Sequence, residues 1–339
     1  MRIGWYFPLP RIYRVSQRFF SLPYNYDYFL ASVWIRCLQL VPELQKLGIS
    51  SIFNEKTANC DIAIFLRDFS SPIQDTIRYQ RANGARIAID LCVNPFDVTG
   101  VIRNDYGATR EMKVATLAAI KQSDGVLCAS SFIANRAKQF SSLAVHLPDS
   151  VDTKHYCFRK SMADVDAKPL QAVWAGVQSK AHHLQEIMPE LDRQNISLEI
   201  ISDKPPVLSN SFHFTKWSYQ SSPRSLLNGD IAISPRQITN PYDLGHSHFK
   251  IAVFMAQGIP AIASPLPSYE ELIGQTKGGI VVRTLSDWRT ALSEIQHDRA
   301  LLRRFGDAAY AGMQQFSTEV IAGQYVNFCG ALLANRSAR

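Results

Sequence analysis

Missing first of all is any pairing pattern among the cysteines: Cys37, Cys60, Cys92, Cys128, Cys157 and Cys329 form no Cys-x-x-Cys and no metal-ligand spacing. Cys60, Cys92 and Cys128 sit in or beside apolar, strand-like runs, where a free thiol behaves as a small hydrophobe. This usage argues for a reducing compartment. No apolar run has the length needed to cross a bilayer, and the opening MRIGWYFPLPRIYR lacks the apolar centre of a signal peptide. The expectation is a cytoplasmic protein, with peripheral contact to a membrane left open. The chain also lacks the charge excess of a disordered segment, being 46% hydrophobic and 19% charged. A net charge of +7 calls for an anionic partner. With no run of basic residues and no zinc-finger or RNA-recognition signature, nucleic acid is disfavoured, leaving nucleotide diphosphates or an anionic membrane face.

At 339 residues the chain exceeds one ordinary core and fits two domains of about 150 residues. Strand-like runs at 2–7, 49–53, 61–66, 86–91 and 125–128 alternate with helical patterns at 30–47, up to about 80, and at 110–122. That alternation describes a doubly wound parallel sheet. Between the first strand and first helix lies a segment rich in Tyr and Phe with Arg11, Arg14 and Arg18. It fits an acceptor sugar or a lipid headgroup, or a loop packed down by its own aromatics. After a polar connector at 153–168 the rhythm resumes, with strands at 170–174, 198–202, 231–234, 261–263 and 279–282. Helices are expected at 183–191, near 223, from about 247, at 285–296, at 299–314 and at 320–334.

Residues 231–273 organise the rest. An apolar strand, Ile231–Ser234, runs into a loop dense in Pro, Asn, Asp, Gly and His, then into a helix starting near Ser247. Gly258 closes that helix and Pro260 forbids its continuation. In a parallel sheet such loops emerge at the carboxyl edge, where open α/β sheets bind ligands. A helix start carrying Ser247, His248 and Lys250 is an anion site in the making, although any Rossmann-like βαβ unit would share much of this pattern. Gly176, after the strand at 170–174, permits close approach of a phosphate or of the facing domain, and Ser179 and Lys180 follow it. The loop at 216–219, with Trp217, Ser218 and Tyr219, offers either a stacking surface for a base or a hydrophobic anchor. In the first half, Asp90, Asn94 and Asp97 lie past the strand at 86–91. Asp90 can orient or deprotonate an acceptor hydroxyl, or cap the next helix.

The residue order resembles the donor-binding segment of GT-B glycosyltransferases of the large retaining group called family 4. The resemblance rests on Lys250, Met255-Ala256-Gln257-Gly258-Ile259-Pro260, Ala261-Ile262-Ala263-Ser264 and Tyr269-Glu270-Glu271. It rests also on 145–152, which is similar to the interdomain signature Pro-Asn-Gly-Val-Asp, with Asp149 and Ser150 in place of Asn and Gly. Weaker echoes are Ser130-Ser131 and the pair Ser32 and Arg36 in the first helix.

The resemblance implies two Rossmann-like, doubly wound parallel-sheet domains facing across a cleft. The first would span 1–152, completed by a returning final helix at about 318–339, and the second 153–317. It implies transfer of a sugar from a nucleotide-diphosphate donor to a glycan or lipid-linked glycan acceptor, as in surface polysaccharide assembly. No cofactor is implied beyond that co-substrate, and no metal, because basic side chains and a helix N-terminus would neutralise the diphosphate. Lys250, Arg236 and Lys180 would surround the pyrophosphate, with Gly176 beside it and His246 or His248 touching the donor. The segment Ser268, Tyr269, Glu270 and Glu271 would reach ribose or sugar, Trp217 to Tyr219 the base, and Arg36, Asp90 and Asn94 the acceptor.

One departure stands out. The family's Glu-x7-Glu pair would fall at Gly245 and Val253, and neither is acidic. Asp243 could replace the first acid if the loop is shifted. The loss keeps two other readings alive, a GT-B module that binds without transferring and a sugar-nucleotide epimerase.

Overall fold

A computed structural model describes residues 1–9, 29–100, 107–161 and 168–334. The aromatic and basic segment singled out above therefore lies outside the described residues, apart from its two ends. Two six-stranded sheets make the frame. The first runs β2-β1-β3-β4-β5-β6, with β1 Arg2–Tyr6, β2 Ser50–Phe53, β3 Ile62–Leu66, β4 Arg86–Leu91, β5 Gly125–Cys128 and β6 Ala144–His146. The second runs β12-β11-β10-β7-β8-β9, with β7 Gln171–Ala175, β8 Ser197–Ser202, β9 His213–Lys216, β10 Ile231–Ser234, β11 Ala261–Ala263 and β12 Gly279–Val281. Every pairing is parallel. Parallel strands are covered on both faces, which is why β3, β5, β10 and β11 are buried along their whole length.

The order of each sheet reverses once. In the second, the chain leaves β7 toward β8 and β9, then returns to the other side of β7 as β10 and continues to β11 and β12. The connections following β7 and β10 therefore diverge at their carboxyl ends and open a crevice there. The first sheet reverses in the same way between β1 and β3.

Several helices differ from the sequence expectation, each for a local reason. The pattern at 30–47 is broken into Ala31–Val33, a π-helical turn Trp34–Leu38 and Val41–Lys46. Pro42, which has no N–H to donate, starts the last piece instead of continuing the first. Similarly, Pro189 starts Met188–Arg193, leaving a separate 3-10 turn Gln178–Leu184 where a single helix was expected from 183. The helix carrying Lys250 begins at Phe249, two residues later than expected.

The helix Thr318–Ala334 packs onto the first sheet, burying Ile321, Ala322, Tyr325, Phe328, Cys329 and Leu332 in the cluster that holds Ile3, Trp5 and Ile64. Its entry runs beside the outgoing crossover: Val151 N–H donates to the Phe316 carbonyl (2.8 Å) and Thr318 N–H to the Val151 carbonyl (3.1 Å). Among the described residues no helix is long and apolar enough to cross a membrane.

At the centre of that first core lies a charge network. Arg36, 1% exposed, donates from Nε to both Asp90 carboxylate oxygens (3.1 and 3.2 Å), and from one terminal nitrogen to the Leu147 carbonyl (2.6 Å) and Asp149 Oδ1 (3.1 Å). Tyr325 of the last helix lies 2.8 Å from Asp90 Oδ2 and donates to it. Burial raises the Asp90 pKa against the opposing pull of Arg36 and Tyr325. Arg36 and Tyr325 favour the ionised carboxylate, and burial opposes them.

Removing one partner from such a pair leaves the other buried and uncompensated. Arg36→Leu is expected to cost about 3–5 kcal/mol, and Tyr325→Phe, which deletes one hydrogen bond to a charged acceptor, about 1.5–3 kcal/mol. Urea unfolding checks both; unchanged midpoints would show that the network carries no stability.

Candidate active site

The crevice at the β7/β10 reversal is lined by cations. Gly176 follows β7, and a Cβ there would lie 2.8 Å from the Trp174 ring and 3.0 Å from Lys250 Nζ. Glycine is what lets the lysine cross this loop. Its ammonium sits 4.1 Å from the centroid of the Trp174 ring, a cation–π contact in a desolvated place. The 3-10 turn Gln178–Leu184 then folds Lys180 and His183 inward, each 8% exposed. From the other side, Arg236 follows β10 and is fixed by the neighbouring strand end, its N–H donating to Ser264 Oγ (2.8 Å). Gln237 N–H reaches His183 Nδ1 (3.4 Å), closing the crevice between the two loops.

One carboxylate enters this cluster. Asn240 caps the short helix Pro241–Leu244 through the Asp243 N–H (3.1 Å) and carries Asp243 inward. Its Oδ1 lies 3.8 Å from an Arg236 terminal nitrogen and 3.7 Å from His246 Nε2. Both separations are too long for hydrogen bonds, and only the one to Arg236 is an ion pair. Arg236 Nε and Nη1 and His246 Nε2 are accordingly buried without a hydrogen-bond acceptor.

The electrostatics follow from three cations against one acid. Burial, then Arg236 and Lys180, push Lys250 well below its ordinary value. Lys180 is lowered by burial and then by Arg236. Burial and the surrounding cations take His183 to about 3, and burial with Arg236 takes His246 to about 4, so both imidazoles are neutral near pH 7. Burial alone would raise Asp243, but His246, Arg236 and Lys180 bring it below its ordinary value. A partly buried cluster of basic side chains with one described carboxylate among them suits an anion.

The structure thus brings together Gly176, Lys180, Arg236, His246 and Lys250 from the sequence reading. It disperses the rest. His248 is 4% exposed, directs Nε2 to the Asp149 carbonyl (3.0 Å) and sets its ring edge-on to Phe316. The start of the Lys250 helix therefore faces the interdomain turn and not the crevice. Tyr219 stacks on His155 at 3.9 Å and meets Trp34 edge-on, while Ser218 bonds Ser221 and Trp217 packs against the second core.

The segment at 268–271 is not a loop but the first turns of helix Pro267–Thr276, because Pro267 is preset for a helix start. Tyr269 is consequently fully buried, Ser268 donates to the His246 carbonyl (2.7 Å), Glu270 pairs with Arg283, and Glu271 accepts from Ser131 across the two sheets. In the first half Arg36 and Asp90 lie in the core network. Asn94 is fully buried, donating to Asp97 Oδ2 and to the Pro241 carbonyl (3.0 Å each). None of these three presents a free polar atom to an acceptor in this arrangement; burial that the sequence pattern did not disclose is the reason.

The two positions where glutamates were expected have packing roles. A Cβ on Gly245 would lie 2.6 Å from Asn94 Cβ, and the Gly245 carbonyl accepts from Ser130 Oγ (3.1 Å), so glycine permits the 235–248 loop to seat against the first sheet's carboxyl edge. Val253 is 5% exposed within the second core. Sequence reasoning missed His183 and Trp174. His183 carried one signal, three residues past Lys180 on a helical stretch; Trp174 read as one more apolar strand residue. The chain's single Asp-x-Asp, Asp164-Val165-Asp166, falls outside the described residues. Among the described residues no three His, Cys, Asp or Glu side chains are grouped to hold a metal.

No protein-family model and no curated protein sequence matches the chain. Solved structures match it in fold. Sucrose-phosphate synthase from Thermosynechococcus elongatus superposes with a TM-score of 0.69 at 11% identity, over 98% of this chain and 99% of that one. A glycosyltransferase from Rickettsia africae ESF-5 gives 0.67 at 12% identity over 98% and 99%. HepE from Anabaena, in complex with UDP and glucose, gives 0.63 at 12% identity over 96% and 98%. The fold is GT-B, shared along nearly the whole length. Likeness at these identities speaks for architecture, and the chemistry has to come from the crevice.

Lys250 holds its proton less firmly in the folded chain than at its ordinary value of 10.5. Between those two values the unfolded chain binds more protons, so wild-type stability rises with pH across that window. Lys250→Met removes this dependence. Its stability relative to wild type is expected to be most favourable near about pH 7 and to shrink toward about pH 10. Denaturant titrations at several pH values read this directly, and parallel curves for the two proteins would exclude a desolvated ammonium.

Proposed function

We propose that this chain is a glycosyltransferase that moves a sugar from a nucleoside-diphosphate donor to a glycan or lipid-linked glycan acceptor. The observation that carries the reading is the half-buried group of Arg236, Lys180 and Lys250 at the β7/β10 reversal, with the Asp243 carboxylate beside it. When the bond between the anomeric carbon and the diphosphate breaks, negative charge collects on the leaving phosphate oxygens. Preorganised cations in a dry crevice stabilise that charge more than they would in water. The anion also reverses the electrostatics, favouring the protonated lysines that burial and their neighbouring cations disfavour. HepE, similar in fold, is described with UDP and glucose, which agrees with a donor of this class. In this reading transfer needs no metal, residues 153–317 form the donor domain, and 1–152 with about 318–339 form the acceptor domain. The protein would act in the cytoplasm or at its membrane face, in surface polysaccharide assembly.

A second reading has specific support. Gly245 and Val253 occupy the two expected glutamate positions as packing residues, which suits a module that binds a nucleotide sugar without turning it over.

Calorimetry with UDP, GDP, CMP and their sugars tests both. One diphosphate should bind wild type, and Lys250→Ala and Arg236→Ala should each weaken it by roughly 10–100-fold, the loss of one charge-assisted contact. Sugar release to an acceptor separates transfer from binding. A folded wild type that binds no diphosphate overturns the proposal.

A further inference from the structure

We infer that Asp149 is a positioning residue for Lys250, acting through Ser247 to fix the start of the lysine-bearing helix against the Arg36 network. The inference rests on the proposed role of Lys250 as a diphosphate ligand. Asp149 is 5% exposed and stands between the two sheets in the crossover turn. Its two oxygens are divided: Oδ1 accepts from Arg36 (3.1 Å), and Oδ2 accepts from Ser247 Oγ (2.5 Å). The hydroxyl is the donor and the carboxylate the acceptor. Its backbone carbonyl meets His248 Nε2 at 3.0 Å, so successive residues of the helix start are held by one aspartate.

The next residue continues the pattern. Phe249 sets its ring edge-on to Trp34 of the first unit, with centroids 5.2 Å apart. Three consecutive side chains, Ser247, His248 and Phe249, are thus tied to groups outside the second sheet. Lys250 alone in this run points back into it, over Trp174. The ammonium's position in the crevice is set by anchors on its other side. Asp149 links this anchorage to the buried Arg36, itself held by Leu147, Asp90 and Tyr325. Donor-site geometry and the core of the first sheet become one connected structure.

Ser247→Ala cuts the tie while leaving the Asp149–Arg36 pair in place, and Ser247→Thr restores the hydroxyl. Binding of inorganic pyrophosphate, by calorimetry, is the readout for wild type, Ser247→Ala, Ser247→Thr, Lys250→Ala and Ser247→Ala/Lys250→Ala. The expected result is about a tenfold loss for Ser247→Ala, one pK-unit equivalent of lysine contact, and near-wild-type binding for Ser247→Thr. In the Lys250→Ala background the serine change should add nothing, because residues acting through one another are not additive. Asp149→Asn, compared at a temperature where it is folded by circular dichroism, should behave as Ser247→Ala does. Full additivity with Lys250→Ala, or no effect of Ser247→Ala on a wild type that binds, overturns the inference. A wild type that binds neither pyrophosphate nor UDP removes the functional reading beneath it.

Discussion

A guanidinium placed in the interior of an α/β sheet needs partners, and Arg36 finds them in two separate parts of the chain. Asp90 lies near the end of β4 and Leu147 and Asp149 belong to the crossover, while Tyr325 of the final helix donates to Asp90 in turn. Desolvating such a charge is costly unless its partners are all in place. The network therefore specifies one arrangement of these segments in a way that apolar packing, which tolerates small slides, does not. Trp5, Ile3 and Leu332 belong to the apolar cluster of the same core. The ion pair supplies the register.

The crevice works on the opposite principle. There Arg236 has buried nitrogens without a hydrogen-bond acceptor, and Lys250 faces a ring instead of a carboxylate. The topology explains the location, since the sheet reverses between β7 and β10 and the two following loops part at that point. Gly176 and Gly245 set the clearances, one for the lysine and one for the loop against Asn94.

Much of the architecture was legible because strand alternation and the Gly258-Ile259-Pro260 stop are local signals. Lys250, Arg236, Lys180 and Gly176 were legible for the same reason, each lying just past a strand or on the helix between two strands. The helix that carries Tyr269 and Glu270 was not legible, because Pro267 can begin a helix as readily as end one, and only the tertiary context decides. Asp90 was singled out for its place at a strand end. Its partners Arg36 and Tyr325 lie 54 and 235 residues away in sequence. No spacing rule connects residues at such separations, so the pairing that removes Asp90 from solvent could not be seen. The cation–π seat of Lys250 was hidden likewise, since a tryptophan in a buried strand looks like any other large apolar residue.

The returning helix has a consequence for the order in which the molecule can be made. Ribosomes deliver the chain from its beginning, and domains ordinarily complete themselves in that order. Here the first sheet is exposed early yet lacks Tyr325 and the face of Ile321, Phe328 and Leu332 until the last described helix emerges. The second sheet, whose strands all fall between β7 and β12, has its parts in hand sooner. The unit that starts first is thus the one that finishes last, and during synthesis Arg36 and Asp90 wait in an open core for the tyrosine that closes it.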